Sequence, residues 1–150
     1  MITITVDTSR FDRMMADFPA AMERAKKRAL QDIGQEVATR ATLAFRSPSL
    51  RPSPWAPRKD KKSTHPLLIK SGLLRRSIRP WLDGPDTVVV GTDKEYAGYH
   101  QHGTKNMPAR PFFPIDKHGN LMPDVMRTIT RKVQQAYDDA LGKLGGGKAG

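Results

Sequence analysis

An α+β fold is what this sequence predicts: a small antiparallel sheet packed by a long N-terminal helix and a C-terminal helix, with a long basic, proline-rich loop. Three observations lead there. Apolar residues recur every three or four positions from Met22 to Phe45 and again from Val125 to Leu144, the spacing that lines one face of a helix. Short β-branched runs, ITITV at the start and TVVV at residues 87–90, have the composition of strands. Between the two sets of signals stands Asp83-Gly84-Pro85-Asp86, whose residue types favour a tight turn.

Taken in order, Ile2, Ile4 and Val6 alternate with threonines, the period-two pattern of a half-buried strand. Asp7, Thr8 and Ser9 offer N-caps to a first short helix carrying Phe11, Met14, Met15 and Phe18 up to the break at Pro19. Beyond it a helix over residues 19–46, about 40 Å long at 1.5 Å per residue, buries Met22, Ala25, Ala29, Ile33, Val37, Ala41, Ala44 and Phe45, with Lys26, Lys27, Arg28 and Glu36 on its other faces. The alanines let a neighbouring layer approach closely.

Residues 47–66 change character. Pro48, Pro52, Pro54, Pro57 and Pro66 interrupt a polar, basic stretch in which regular structure lacks donors, so a long mobile loop is expected. Residues 67–78 read as an amphipathic turn or short helix with Ser71 as cap and Leu73, Leu74 and Ile78 inward. Trp81 and Leu82 lead to the turn and residues 87–90 return, an antiparallel hairpin. A short helix over residues 93–102 stops at Gly103, and Pro108 and Pro111 force an extended path through Phe112 and Phe113. His118-Gly119-Asn120 marks a further turn. The last helix starts near Pro123 and Asp124 and presents Val125, Ile129, Val133, Tyr137, Ala140, Leu141 and Leu144 on one face.

A chain of 150 residues with 37% hydrophobic and 7% aromatic residues supports one modest core, here a single domain over residues 1–144 with a flexible tail at 145–150. The sequence contains no cysteine, which removes disulfides and thiolate metal sites. No apolar run approaches the roughly 20 residues of a membrane span, and the start lacks the pattern of a signal peptide. A soluble protein made and used in the cytoplasm is the expectation.

The formal charge of +11 calls for a polyanionic neighbour, either an acidic protein surface or nucleic acid. Its main source is residues 47–80, where Arg51, Arg58, Lys59, Lys61, Lys62, Lys70, Arg75, Arg76 and Arg79 face the single acid Asp60. Trp55 either anchors this loop in a partner's pocket or folds back on its own domain.

The densest segment is residues 96–113, YAGYHQHGTKNMPARPFF. His100, His102 and His118 could ligate zinc with Asp116 or Asp124, but no cysteine or spaced His-Glu motif supports a metal, and hydrogen bonding in a polar turn is the better account. Asp93, Glu95 and His100 lack the second acidic cluster of a two-metal nuclease. Gly91-Thr92 lacks the further glycines and lysine-serine pair of a phosphate loop. Arg110, stiffened by Pro108 and Pro111, is either a clamp on nearby carbonyls or carboxylates or an interface anchor. No catalytic, cofactor-binding or metal residue is assigned. Partner contacts are assigned to Trp55, Arg58, Lys59, Lys61, Lys62, Arg75, Arg76, Tyr96, His100, His102, Arg110 and Phe112.

Over roughly residues 29–114 a series of short motifs recurs in order: a helix ending in Phe45, Trp55 in a proline-rich loop, Leu67-Leu68, Ser71-Gly72-Leu73, Ser77-Ile78, Val88-Val89-Val90-Gly91-Thr92, Tyr96-Ala97, His100-Gln101-His102-Gly103 and Pro108-Ala109-Arg110-Pro111-Phe112. In this order and spacing the chain resembles the virion morphogenesis (tail-completion) family of tailed, Mu-like bacteriophages. His102 stands where many relatives carry an aromatic. The resemblance implies a non-enzymatic α+β subunit of the virion that acts in tail completion and head-tail joining. It would form a ring of copies at the tail end or neck, touching other tail and neck proteins and DNA passing through the channel. The alternative, from another class, is a basic DNA-binding accessory protein.

Overall fold

The computed structural model describes residues 2–7, 20–64, 67–69 and 72–145. The short helix expected around Phe11 and Phe18, the Ser71 cap and the tail beyond residue 145 lie outside the described residues. The elements run β1 (Ile2–Asp7), α1 (Ala20–Ala44), a 3-10 turn (Pro48–Leu50), α2 (Leu73–Ser77), β2 (Arg79–Leu82), β3 (Thr87–Thr92), α3 (Ala97–His102) and α4 (Pro123–Gly145). Both long helices and the hairpin stand where hydrophobic spacing and turn chemistry put them, and the architecture is α+β.

The sheet has the order β1-β3-β2, antiparallel throughout. β3 is central, and Val88, Val89 and Val90 are all buried. Ile4 pairs with Val90 and Val6 with Val88 on one side, Pro80 with Val90 and Leu82 with Val88 on the other. α1 crosses this sheet and also packs along α4. Leu30, Ile33, Val37, Ala38, Ala41, Ala44 and Phe45 from α1 and its exit meet Val88, Val90, Phe112, Phe113, Val125, Ile129 and Val133 in one continuous core.

Helix and sheet approach closely at Gly34. A Cβ there would stand 2.6 Å from Val88 Cγ2 and 2.8 Å from Pro80 Cβ, inside van der Waals contact. The small-residue stripe thus depends on a glycine as well as on alanines. Lys26, expected on an outer face, is instead buried at 7% exposure. Its stem lies beside Met22 and Leu30 on the buried side of α1, and its ammonium reaches Asp86 (2.7 Å) and Glu23 (3.1 Å). A long amphipathic side chain covers apolar surface while its charge is matched at the rim.

Two further expectations change. Leu73, at the first position of α2, is 51% exposed, because a single turn following the left-handed Gly72 directs only Leu74, and then Ile78, inward. Leu141 is 44% exposed, since the buried face of α4 passes through Ala140 instead. Ser77 and Thr92 share a hydroxyl–hydroxyl hydrogen bond that ties the end of α2 to the end of β3. No helix among the described residues is long and apolar enough to cross a membrane.

Candidate interaction surface

The densest sequence segment folds into a corner. α3 begins at Ala97, which is fully buried, and one turn later places Gln101 at 5% exposure on the same face. Gln101 Oε1 accepts hydrogen bonds from the backbone N–H groups of Phe112 and Phe113, both 3.0 Å. One side-chain oxygen therefore satisfies two buried donors in a stretch that belongs to neither helix nor sheet. Gly103 ends the helix at φ 74, with its N–H on Tyr99 O. A Cβ at Gly103 would meet Ala109 N at 2.8 Å and Met107 O at 3.0 Å, so the chain doubles back where only glycine fits.

Behind the corner the aromatic rings assemble. Phe45 lies 4.9 Å from Phe112 and 6.0 Å, edge to face, from Trp55, and Phe112 lies 4.8 Å from Phe113. Trp55 Nε1 donates to Pro111 O at 2.7 Å. Arg51 donates through Nε to Ala44 O (2.7 Å) and through Nη2 to Phe45 O (3.1 Å), closing carbonyls left open at the end of α1. The same guanidinium stacks 3.6 Å from the centre of the Trp55 ring. Arg110 completes the stitching, donating through Nε to Ala56 O (3.0 Å) and through Nη2 to Pro57 O (3.1 Å), while its backbone N–H binds His100 O at 2.7 Å.

Both Trp55 and Arg110 make contacts inside their own domain. Trp55 folds back on its own domain, and Arg110 is a fork on two carbonyls of the proline loop. Phe112, expected at a contact with another subunit, is 0% exposed and enclosed by Phe45 and Phe113, so it supports the corner from inside. The part of the loop up to Pro57 is pinned by these bonds. Arg58 beyond it is half-buried, and Lys59, Lys61 and Lys62 are exposed, next to an Asp60 whose carboxylate binds Ser63 Oγ and Lys62 N–H.

Outside the corner lies an exposed rim of aromatic and polar groups: Tyr96 at 40% and Tyr99 at 56% exposure, with His102 exposed beside them. His100 is half-buried, edge-on to Tyr96 at 6.1 Å, and its buried Nδ1 has no hydrogen-bond partner among the described residues. Burial, followed by the nearby Arg110 charge, lowers its pKa, so the neutral ring is favoured. Arg75 and Arg76 lie on α2, the first half-buried and the second exposed.

Chemically this surface is suited to contact. Among the described residues no group of three or more His, Asp or Glu is placed to hold a metal. Asp116 is engaged in its own turn, accepting from His118 N–H, Asn120 N–H and Asn120 Nδ2. Asp124 binds Arg40 across the two long helices. Sequence reasoning missed Gln101 and Arg51. The signal for Gln101 was its spacing of four residues after Ala97, which puts both on one helical face; Arg51 has only its position just past a helix end.

Comparison with known proteins agrees in kind. Residues 6–135 match the sequence model of the phage virion morphogenesis family. A Mu-like prophage protein of Haemophilus influenzae, FluMu G protein 1, is 47% identical over 52 residues, and this match covers 35% of the present chain and 34% of that protein. No solved structure matches.

Proposed function

This chain belongs to the phage virion morphogenesis family, and on that premise we propose that it completes the phage tail for joining to the head. Family membership makes it a protein of phage morphogenesis; the tail-end role is the finer reading. In that reading copies of the chain form a ring at the tail end or neck, and the subunit touches other tail and neck proteins. It works in the virion after assembly in the host cytoplasm, and it catalyses nothing.

The observation that carries the reading is what the motif residues do. Phe45, Trp55, Gln101, Gly103, Arg110 and Phe112 are spent on fixing one corner against the core, and that corner displays a rim of tyrosines and, past Pro57, exposed lysines. A rigid body with a charged, aromatic margin suits repeated head-to-tail docking, the heterologous contact from which rings close. On this reading Arg58, Lys59, Lys61, Lys62, Arg75, Arg76, Tyr96, His100 and His102 meet neighbours. Imaging of purified virions with mass spectrometry tests the placement: the chain should be present and map to the tail end facing the head. Its recovery only from free heads would refute it.

The excess of basic residues at 47–80 favours one second reading, a DNA-binding accessory protein. Binding of purified protein to duplex DNA that weakens steeply with salt, together with normal tails in its absence, would support that reading over the first.

A further inference from the structure

The two edges of the sheet are not equivalent. Asp83 N–H donates to Thr87 O, opposite residues in the β2–β3 ladder. Because hydrogen-bonded and non-hydrogen-bonded pairs alternate along antiparallel strands, Trp81 and Arg79 also bond inward to β3, and Pro80 and Leu82 turn their backbone groups outward. Pro80 has no N–H to offer, so the β2 edge lacks a donor in the middle of a strand of four residues. The same alternation carries across β3. Val89 and Gly91 bond to β2, so Val88, Val90 and Thr92 bond to Val6, Ile4 and Ile2 of β1. Thr3 and Thr5 therefore direct their N–H and C=O groups away from the sheet.

This outer edge is six residues long, rich in β-branched residues, and contains no proline or lysine. No strand pairs with it among the described residues. The proline that blunts the β2 edge thus has no counterpart in β1. The edge is also self-complementary. Laid antiparallel on a second copy about a two-fold axis through Ile4, it sets Thr3 opposite the partner's Thr5 and Thr5 opposite the partner's Thr3, each pair exchanging both backbone bonds. The backbone register then sets Ile2 opposite the partner's Val6.

We propose that β1 is a self-association edge, through which two copies of this chain join their three-stranded sheets into one continuous six-stranded sheet. This contact goes beyond the tail-end reading and does not depend on it: an isologous pair closes at two subunits, whereas a ring grows from head-to-tail contacts.

The test uses the whole chain. Sedimentation over a wide concentration range should show a monomer–dimer equilibrium, and amide hydrogen exchange at Thr3 and Thr5 should slow as concentration rises. Thr5→Pro removes only an outward-facing N–H and should weaken association tenfold or more, about 1.4 kcal/mol, with the melting temperature of the monomer retained. A second arm does not rely on proline being tolerated. The sequence has no cysteine, so Ile4→Cys creates a single thiol that meets its own copy at the axis, within the usual Cα separation of a disulfide. Oxidation should give a covalent dimer, whereas Asp7→Cys, six residues out of register with its copy, should stay monomeric. A protein monomeric at every concentration, Thr3 and Thr5 protection independent of concentration, or equal cross-linking of the two cysteine variants would each overturn the proposal.

Discussion

Replacing Gly34 by alanine tests a close contact between α1 and the sheet. Elsewhere in an exposed helix the change stabilises by about 1 kcal/mol through helix propensity. Here the new Cβ would fall 2.6 Å from Val88 Cγ2 and 2.8 Å from Pro80 Cβ, where carbon atoms rest at about 3.5–4.0 Å, so a gap of about 1 Å must open. Neither neighbour yields easily, because valine is stiff at χ1 and the proline ring is fixed to its strand. α1 cannot simply lift away either, since Ile33 and Val37 on either side of the contact are 0% exposed. Overpacking of this kind costs about 1–3 kcal/mol, which equals or exceeds the propensity gain. At about 2–4 °C per kcal/mol for a chain of this size, Gly34→Ala should lower the melting temperature by up to about 8 °C. Urea denaturation of Gly34→Ala, Val88→Ala and the double variant checks the cause: the second change should recover part of the strain, giving a coupling of about 0.5 kcal/mol or more. A melting temperature at or above the parent's, with additive single changes, would refute the close-approach argument.

Gln101→Leu leaves the Phe112 and Phe113 donors buried without an acceptor and should cost about 2 kcal/mol or more in thermal unfolding, while the tail-end reading expects assembly to fail only through that instability. Arg110→Ala should lower the melting temperature of the free subunit, and Arg110→Lys should not restore it, because only a planar fork spans Ala56 O and Pro57 O; unchanged melting with weakened assembly would return Arg110 to an interface role. Limited trypsin cleavage after Arg58, Lys59, Lys61 or Lys62 should be rapid in free protein and suppressed in particles; equal protection in both would count against docking of this stretch. Stability should also fall on the acid side by two routes. His100 has a lowered folded pKa, so below about pH 6.5 the unfolded chain takes the proton first and stability declines until the folded value is passed; His100→Gln should flatten that part of the pH profile. Burial raises the Asp124 carboxyl, but the Arg40 hydrogen bond and charge lower it more, so its contribution is present above about pH 4 and lost as pH falls through the lower folded value; Asp124→Asn should remove that step.

Periodicity and turn chemistry made the frame legible. The stripes of α1 and α4 and the turn at residues 83–86 depend on local spacing, and local spacing is what a sequence displays. The corner was legible only in outline. Gly103 and the two prolines announce a sharp reversal, but which carbonyls Arg110 would reach depends on a proline loop more than fifty residues earlier. The same holds for Trp55, whose indole partner is Pro111. Lys26 shows the converse error: charge suggested an outer face, while its match, Asp86, lies sixty residues away in the hairpin turn. Contacts that join distant segments leave no period to read, so residue type pointed to capability and only the fold supplied the intramolecular partners.

The central claim is that this family member completes the tail for head joining, and a clean in-frame deletion in its parent phage tests it most directly. Electron microscopy of the lysate should show DNA-filled heads and separate tails, with joined, infectious particles restored when the intact chain is supplied in trans. Normal infectious particles from the deletion would contradict the account.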